Sequence, residues 1–222
     1  MLDHSKFLEF FDPLKIGGTV HILGCGATGS HIAMDMARIG VRRVCLYDFD
    51  IVNVHNIANQ IFQRQHVGTN KALACAGEMK LINDDIDIRV FERGYTSQPL
   101  SGYVFLCMDN IDTTRTVVES NRGNTNIRAV FNTRMDLTSA QLYAADWMNS
   151  SAIDKLLKTM QFTQEEVKAE RPVSACGTTL SIISTVKMIT ACATSNFINF
   201  INTGELKKFL VVDTFGFNFL VK

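Results

Sequence analysis

The run Gly24-Cys25-Gly26-Ala27-Thr28-Gly29 follows a short apolar segment and opens a stretch whose apolar residues recur at helical spacing. Glycines spaced this way permit a tight turn and let backbone N–H groups approach phosphate at the positive end of a helix. The next apolar run ends in Asp48, about twenty residues past the turn, where an acid commonly takes ribose hydroxyls. These two features suit NAD and ATP equally. Lys71 and Asp109 separate them. Lys71 opens a helical stretch, where the helix dipole disfavours a cation, and an anionic ligand would supply the missing compensation; the plainer role is a solvated lysine at a helix start. Asp109 stands in Cys107-Met108-Asp109-Asn110 at the end of an apolar run, and strand ends of this kind face the ligand crevice of a doubly wound sheet. A carboxylate there repels a bare pyrophosphate unless a divalent cation bridges the two, and magnesium is held by one or two carboxylates plus phosphate oxygens. The plainer role for Asp109 is to cap the following helix. Cys176 precedes a long helical stretch. A thiol at a helix N-terminus can become a usable nucleophile; otherwise Cys176 is a small residue at a tight helix entry. Cys25 can touch a nucleotide through its place in the loop.

These residues need a frame. Short apolar runs at 19–23, 43–47, 86–91, 104–108 and 129–132 alternate with helical patterns at 31–39, which stops at Gly40, and at 71–81. That alternation predicts an α/β fold, a sheet wound with helices. After Thr133 the pattern changes: a further strand at 141–145, then a polar helical stretch over 147–169 in which Thr163 and Glu166 form a capping box. Pro172 interrupts it, a long helix starts near Gly177, and 209–215 with 217–221 read as a hairpin around Gly216. The expected division is 1–145 for the nucleotide-binding region, 146–175 for a crossover, and 176–222 for a helix and strands completing the same domain.

Lys plus Arg and Asp plus Glu number 22 each among 222 residues, so no global charge argues for nucleic acid or an anionic membrane. No basic-then-apolar leader follows Met1, and the most apolar stretch, 180–201, carries Lys187, Asn196 and Asn199, which predicts a buried helix rather than a span. The six cysteines, at 25, 45, 75, 107, 176 and 192, form no Cys-x-x-Cys pair, so a reduced cytoplasmic setting is expected. Phe7, Phe10 and Phe11 have helical spacing and suit either core or a subunit contact. His55 and His66 form no triad with a serine or cysteine and are expected at the surface.

The segment Asp48-Phe49-Asp50-Ile51-Val52-Asn53-Val54-His55-Asn56, followed by Gln60 and Gly68-x-x-Lys71, strongly resembles the ThiF/MoeB family, related to ubiquitin-activating enzymes. Asp109-Asn110 and Asn132-Thr133-Arg134-Met135-Asp136 extend the resemblance, which runs from about Val20 to Lys222. It implies a Rossmann-like, doubly wound, mainly parallel sheet with helices on both faces, plus a long C-terminal helix and antiparallel strands. It also implies adenylation of a carboxylate by ATP with Mg2+. In that scheme Gly24, Gly26 and Gly29 seat the nucleotide and Asp48 holds ribose. Asn56, Gln60 and Lys71 lie at the phosphates, Asp109 binds the metal, Arg134 lies near the carboxylate, and Cys176 is a candidate thioester site. The implied substrate is the C-terminal glycine of a ubiquitin-like or sulfur-carrier protein, or a peptide, and the implied assembly is a homodimer. Three departures stand out. Asn59 occupies a position where the family commonly has Arg, with Arg64 a candidate replacement. No Arg precedes Arg38, which leaves Lys6 or Lys15 for a role often filled by an N-terminal Arg of a partner subunit. The zinc-binding cysteine pairs of many relatives are absent. A non-catalytic nucleotide- or partner-binding member fits these departures. A nicotinamide-dependent oxidoreductase would share the glycine turn but leave Lys71 and Asp109 unexplained.

Overall fold

The computed structural model describes residues 2–170 and 180–222. An eight-stranded sheet runs in the order β3-β2-β1-β4-β5-β6-β7-β8. Its parallel part is β1 (Val20–Leu23), β2 (Arg43–Tyr47), β3 (Asp87–Phe91), β4 (Gly102–Leu106) and β5 (Ile127–Met135). Antiparallel strands β6 (Ser139–Asp146), β7 (Phe209–Asp213) and β8 (Asn218–Val221) extend it on one side. The helices are α1 (Ala27–Arg38), α2 (Lys71–Ile82), α3 (Ile111–Ser120), α4 (Ser150–Lys158), α5 (Gln164–Glu170) and α6 (Ile183–Thr203).

All residues of β1 and β4 are buried, the burial expected of parallel strands covered on both faces. Side chains alternate across the sheet, and two cores result. Tyr103, Phe105 and Phe131 point toward α1, α2 and α6, whereas Val104, Leu106 and Val130 point toward α3 and α4. On the first face Phe105 stacks on Phe131 at 4.7 Å, and Phe197 of α6 meets Phe105 edge-on at 5.8 Å. Aromatic pairs of this geometry add packing energy beyond simple burial, and they fix α6 across the middle of the sheet. The chain leaves β1 toward β2 and β3, then crosses back to β4 on the other side of β1. This reversal makes the C-terminal ends of β1 and β4 a topological switch point, the place where open α/β sheets bind ligands.

The structure corrects several expectations. β4 spans Gly102–Leu106, so Cys107 and Met108 lie past its end. β5 runs nine residues because its last part pairs with β6, Met135 opposite Ala140. The stretch 147–169 is not one helix: Trp147 precedes it with its indole N–H donating to the Asn121 carbonyl, and α4 and α5 are separate. The capping box is present, with Thr163 N–H donating to Glu166 and Glu166 N–H to the Thr163 hydroxyl. Helix α3 is the helix expected after Asp109, for which the sequence offered no bounds. Pro172, Cys176 and the expected helix start near Gly177 lie outside the described residues, and the described helix begins at Ile183. Phe11 is core, whereas Phe10 is largely exposed. Among the described residues no helix is long and apolar enough to cross a membrane.

Candidate functional site

Each glycine of the turn meets a different demand. Gly24 has φ +92°, and a Cβ there would sit 2.8 Å from the Cys107 carbonyl oxygen. The turn therefore lies directly against the end of β4. At Gly29 a Cβ would fall 1.8 Å from the Gly24 carbonyl oxygen, so the first turn of α1 rests on the loop that precedes it. Gly26 is the opposite case: nothing lies within 4 Å of the Cβ direction. Gly26 is also the N-cap of α1 and offers no side-chain cap, which leaves the first N–H groups of the helix for an anion.

Asp48 laces this turn to the next loop. Its Oδ2 accepts the Cys25 N–H at 2.6 Å, its Oδ1 accepts the Asp50 N–H at 2.8 Å, and its carbonyl accepts the Asn70 amide at 2.9 Å. Burial pushes the Asp48 carboxyl above its ordinary value, opposed by the Asp50 and Cys25 N–H groups and by Lys71. Cys25 is fully buried behind this carboxylate, and the side chain of Cys75 together with burial raises its thiol. Lys71 is 8 % exposed, and its Nζ is 2.8 Å from Asp50 Oδ2. The missing compensation inferred from the sequence is thus supplied inside the protein by Asp50. Lys71 is a fixed ammonium at the head of α2, where the Asn70 side chain accepts the Leu73 N–H.

Asn56 is buried, and its Oδ1 accepts the Asn53 N–H at 2.8 Å. Gln60 is half-buried with its Oε1 lacking a partner. The Asn59 amide donates to the Ser181 hydroxyl just ahead of α6. His55 is exposed, and His66 Nε2 lies 3.2 Å from Glu78.

Past β4, Asn110 caps α3 by accepting the Thr113 N–H at 3.0 Å, and Ile111 N–H donates to the Gln164 side chain at 2.8 Å. The capping role considered for Asp109 therefore belongs to Asn110. The Asp109 carboxylate is exposed, with no hydrogen bond or ion pair among the described residues. It stands two residues from the Cys107 carbonyl that touches the glycine turn. Among the described residues no cluster of three or more His, Cys, Asp or Glu could hold a metal. A single carboxylate completed by phosphate oxygens and waters is the usual magnesium arrangement, and Asp109 fits it.

Arg134 is not a free cation. Its Nε donates to Asn132 Oδ1 at 2.8 Å, and its two terminal nitrogens donate to the Thr159 carbonyl and hydroxyl at 2.7 and 2.8 Å. The guanidinium lies over the Tyr143 ring at 4.4 Å. Burial lowers it to about 10, so it stays charged at neutral pH. Arg134 clamps the end of α4 to β5 and β6, with two of its five N–H groups left for a ligand. Neighbouring Thr133 donates to Thr28 of α1 at 3.0 Å, which ties β5 to the nucleotide turn.

The structure thus joins Gly24, Gly26, Gly29, Asp48, Asp50 and Lys71 in one network with Asp109 beside it. Cys176 lies outside the described residues. The sequence reading missed His31 and Lys187, which meet at 3.2 Å between α1 and α6. A histidine on the apolar face of a helical pattern reads as core, and a lysine 156 residues away gives no local signal.

Comparisons with known proteins bear on the fold and the family. The family model described as "ThiF family" matches residues 17–219. Ubiquitin-like modifier-activating enzyme 5 of Caenorhabditis elegans is 30% identical over 95 residues, 43% of this chain and 20% of that protein. The adenylyltransferase and sulfurtransferase MOCS3 of Mus musculus is 30% identical over 101 residues, 42% of this chain and 22% of that protein. The aligned stretches thus span about a fifth of these relatives' length. Among solved structures, E. coli MccB with AMPCPP and MccA superposes with TM-score 0.71 at 18% identity, covering 95% of this chain and 64% of that chain. E. coli MccB with ATP gives TM-score 0.70 at 17% identity, over 95% and 65%. With the family model covering nearly its whole length, the chain belongs to the ThiF family.

Proposed function

We propose that the chain binds ATP with magnesium at the switch point between the ends of β1 and β4 and transfers AMP to a carboxylate. The observation that carries this reading is Asp109, an exposed carboxylate with no hydrogen bond or ion pair among the described residues, beside a glycine turn whose first helical N–H groups are open to an anion. A nicotinamide dinucleotide has no use for a carboxylate there, whereas magnesium bound to ATP does. The names of the relatives point the same way: one is a ubiquitin-like modifier-activating enzyme and one an adenylyltransferase, and MccB is seen with ATP and with AMPCPP. The substrate carboxylate in this proposal is the C-terminal glycine of a ubiquitin-like or sulfur-carrier protein, or of a peptide, and the working assembly is a homodimer.

In the proposed reaction a carboxylate oxygen attacks the α-phosphorus of ATP. The bond between that phosphorus and the bridging oxygen breaks, and pyrophosphate leaves with the electron pair. No protein nucleophile is required. The N–H groups following Gly26 hold phosphate oxygens, Asp48 keeps the turn in shape and accepts a ribose hydroxyl through a remaining lone pair, and the Lys71 ammonium stays fixed by Asp50 near the triphosphate. Asn56 and Gln60 offer further amide groups there. Magnesium on Asp109 would offset phosphate charge. Positioning and charge stabilisation supply the rate.

A second reading, nucleotide binding without adenylation, is favoured by Asn59, whose amide is engaged with Ser181 where a cation would serve catalysis. Magnesium-dependent ATP–pyrophosphate exchange, with candidate carrier proteins and glycine-ending peptides, decides between them. Adenylation predicts exchange that needs the carboxylate partner and falls by roughly 10²–10³ in Asp109→Ala, with unchanged thermal stability because Asn110 holds the cap. ATP binding without exchange supports the second reading. Absence of ATP binding defeats both.

A further inference from the structure

Helices α1 and α6 pack together, and a polar cluster sits between them near their N-terminal halves. His31 is 7 % exposed, with Nδ1 3.2 Å from Lys187 Nζ. An ammonium has only donors, so Nδ1 accepts and the ring proton resides on Nε2. Burial, reinforced by Lys187, lowers His31 to about 4, consistent with a neutral ring at neutral pH. A backbone hydrogen bond with Asn59 works against that shift, although Nε2 is buried with no partner at good geometry. Gln60 Oε1, one residue past Asn59, is likewise buried without a partner. A half-turn of that carboxamide exchanges the acceptor for an N–H2 donor. Ile61 N–H donates to Ser30 Oγ at 3.4 Å, which keeps this segment against α1.

Lys187 is exposed and forms no ion pair among the described residues. The nearby carboxylate, Asp35, accepts the Thr194 hydroxyl at 2.9 Å and feels both Arg38 and Lys187. The cluster therefore holds one exposed cation steered by a neutral imidazole and paired with no carboxylate among the described residues, and an oxyanion would satisfy it. His31 is the fifth residue of α1. Helical side chains lean toward the N-terminus, and for His31 that is the direction of the open Gly26 face.

We propose that Lys187, steered by His31, binds the β- and γ-phosphates of ATP and offsets the charge of pyrophosphate as it leaves. Lys187 would be a catalytic cation and His31 a positioning residue. The proposal rests on the ATP reading of the switch point given above.

Calorimetric titration of the full chain with magnesium-ATP and, separately, AMP tests it, because AMP lacks the two phosphates concerned. Lys187→Met should weaken ATP by about 10- to 100-fold, the range of a charge-assisted hydrogen bond, and leave AMP unchanged. Lys187→Arg should retain most of the ATP affinity. His31→Phe should show the same selectivity for ATP over AMP in its loss. Should His31→Phe not fold, the exposed Lys187 variants still decide. Equal losses for both nucleotides, or no loss for either, would overturn the proposal while leaving the switch point as a nucleotide site. Failure of the unmodified chain to bind either nucleotide would overturn the ATP reading itself, and this proposal with it.

Discussion

Two alanine substitutions in one turn should part folding from binding. At Gly29 the added methyl would lie 1.8 Å from the Gly24 carbonyl oxygen and 3.1 Å from the Cys107 Cβ. The first of these is backbone, so no rotamer change relieves the overlap. Either α1 lifts off the loop or the loop leaves the end of β4. Overpacking of a tight site costs about 1–3 kcal/mol, and a clash with fixed backbone belongs at the upper end. For a chain of this size roughly 2–4 °C is lost per kcal/mol, so Gly29→Ala should lower Tm by about 6–12 °C. At Gly26 the methyl meets nothing within 4 Å and φ is −78°. The loss is that of a poorer N-cap, about 1 kcal/mol, or roughly 2–4 °C. The same methyl occupies the space through which phosphate reaches the N–H groups, so ATP affinity should fall by about 10-fold or more. Thermal melts by circular dichroism give the first quantity and calorimetric titration with ATP the second. Equal Tm losses for the two variants, or a Gly26→Ala protein that binds ATP normally, would refute the division of labour assigned to these glycines.

Arg134→Lys keeps the charge but loses the fork that meets both acceptors of Thr159. Three hydrogen bonds at roughly 1 kcal/mol each put the loss near 3 kcal/mol, and Tm should fall accordingly. An unchanged melt with lost exchange would instead assign Arg134 to the substrate. His21 is buried, accepts the Ser101 N–H at Nε2 and meets the Tyr47 hydroxyl at Nδ1; burial lowers it from 6.5 to about 4. A depressed histidine contributes stability that is present above its unfolded value and lost as pH falls through the folded one. Stability should therefore decline between about pH 6.5 and 4, by at most about 3 kcal/mol from this residue. Urea titrations across that range should show a shallower acid slope in His21→Phe, and an unaltered slope would count against the assignment.

What the sequence disclosed follows how locally each feature is specified. The glycine turn was legible because its demands fall within six residues, and the Thr163–Glu166 cap because its two partners are three apart. The hairpin closing the chain was legible from apolar runs around Gly216. The extent of helix α3 was not. Its run Ile111-Asp112-Thr113-Thr114-Arg115-Thr116-Val117-Val118 is rich in β-branched residues, which favour strands over helices. The helix forms because Asn110 and Gln164 satisfy its first N–H groups and because Val117 and Val118 are buried. The partner of Lys71 was overlooked although Asp50 lies in the same short segment, since no periodic pattern announces an ion pair. The anchoring of Arg134 depends on Thr159 at the far end of α4, a contact set by tertiary packing alone.

Cys25 lies inside the turn, screened by the Asp48 carboxylate that accepts its N–H. Its sulfur is unreachable while the loop is closed, and its raised thiol disfavours the reactive thiolate. Alkylation at that position consequently proceeds only through moments when the loop opens. Its rate, read at Cys25 by mass spectrometry, becomes a clock for local opening of this loop, in the manner that amide exchange times local unfolding. Any molecule that closes the loop slows the clock, so binding can be followed through a native side chain, with no label added and no product formed.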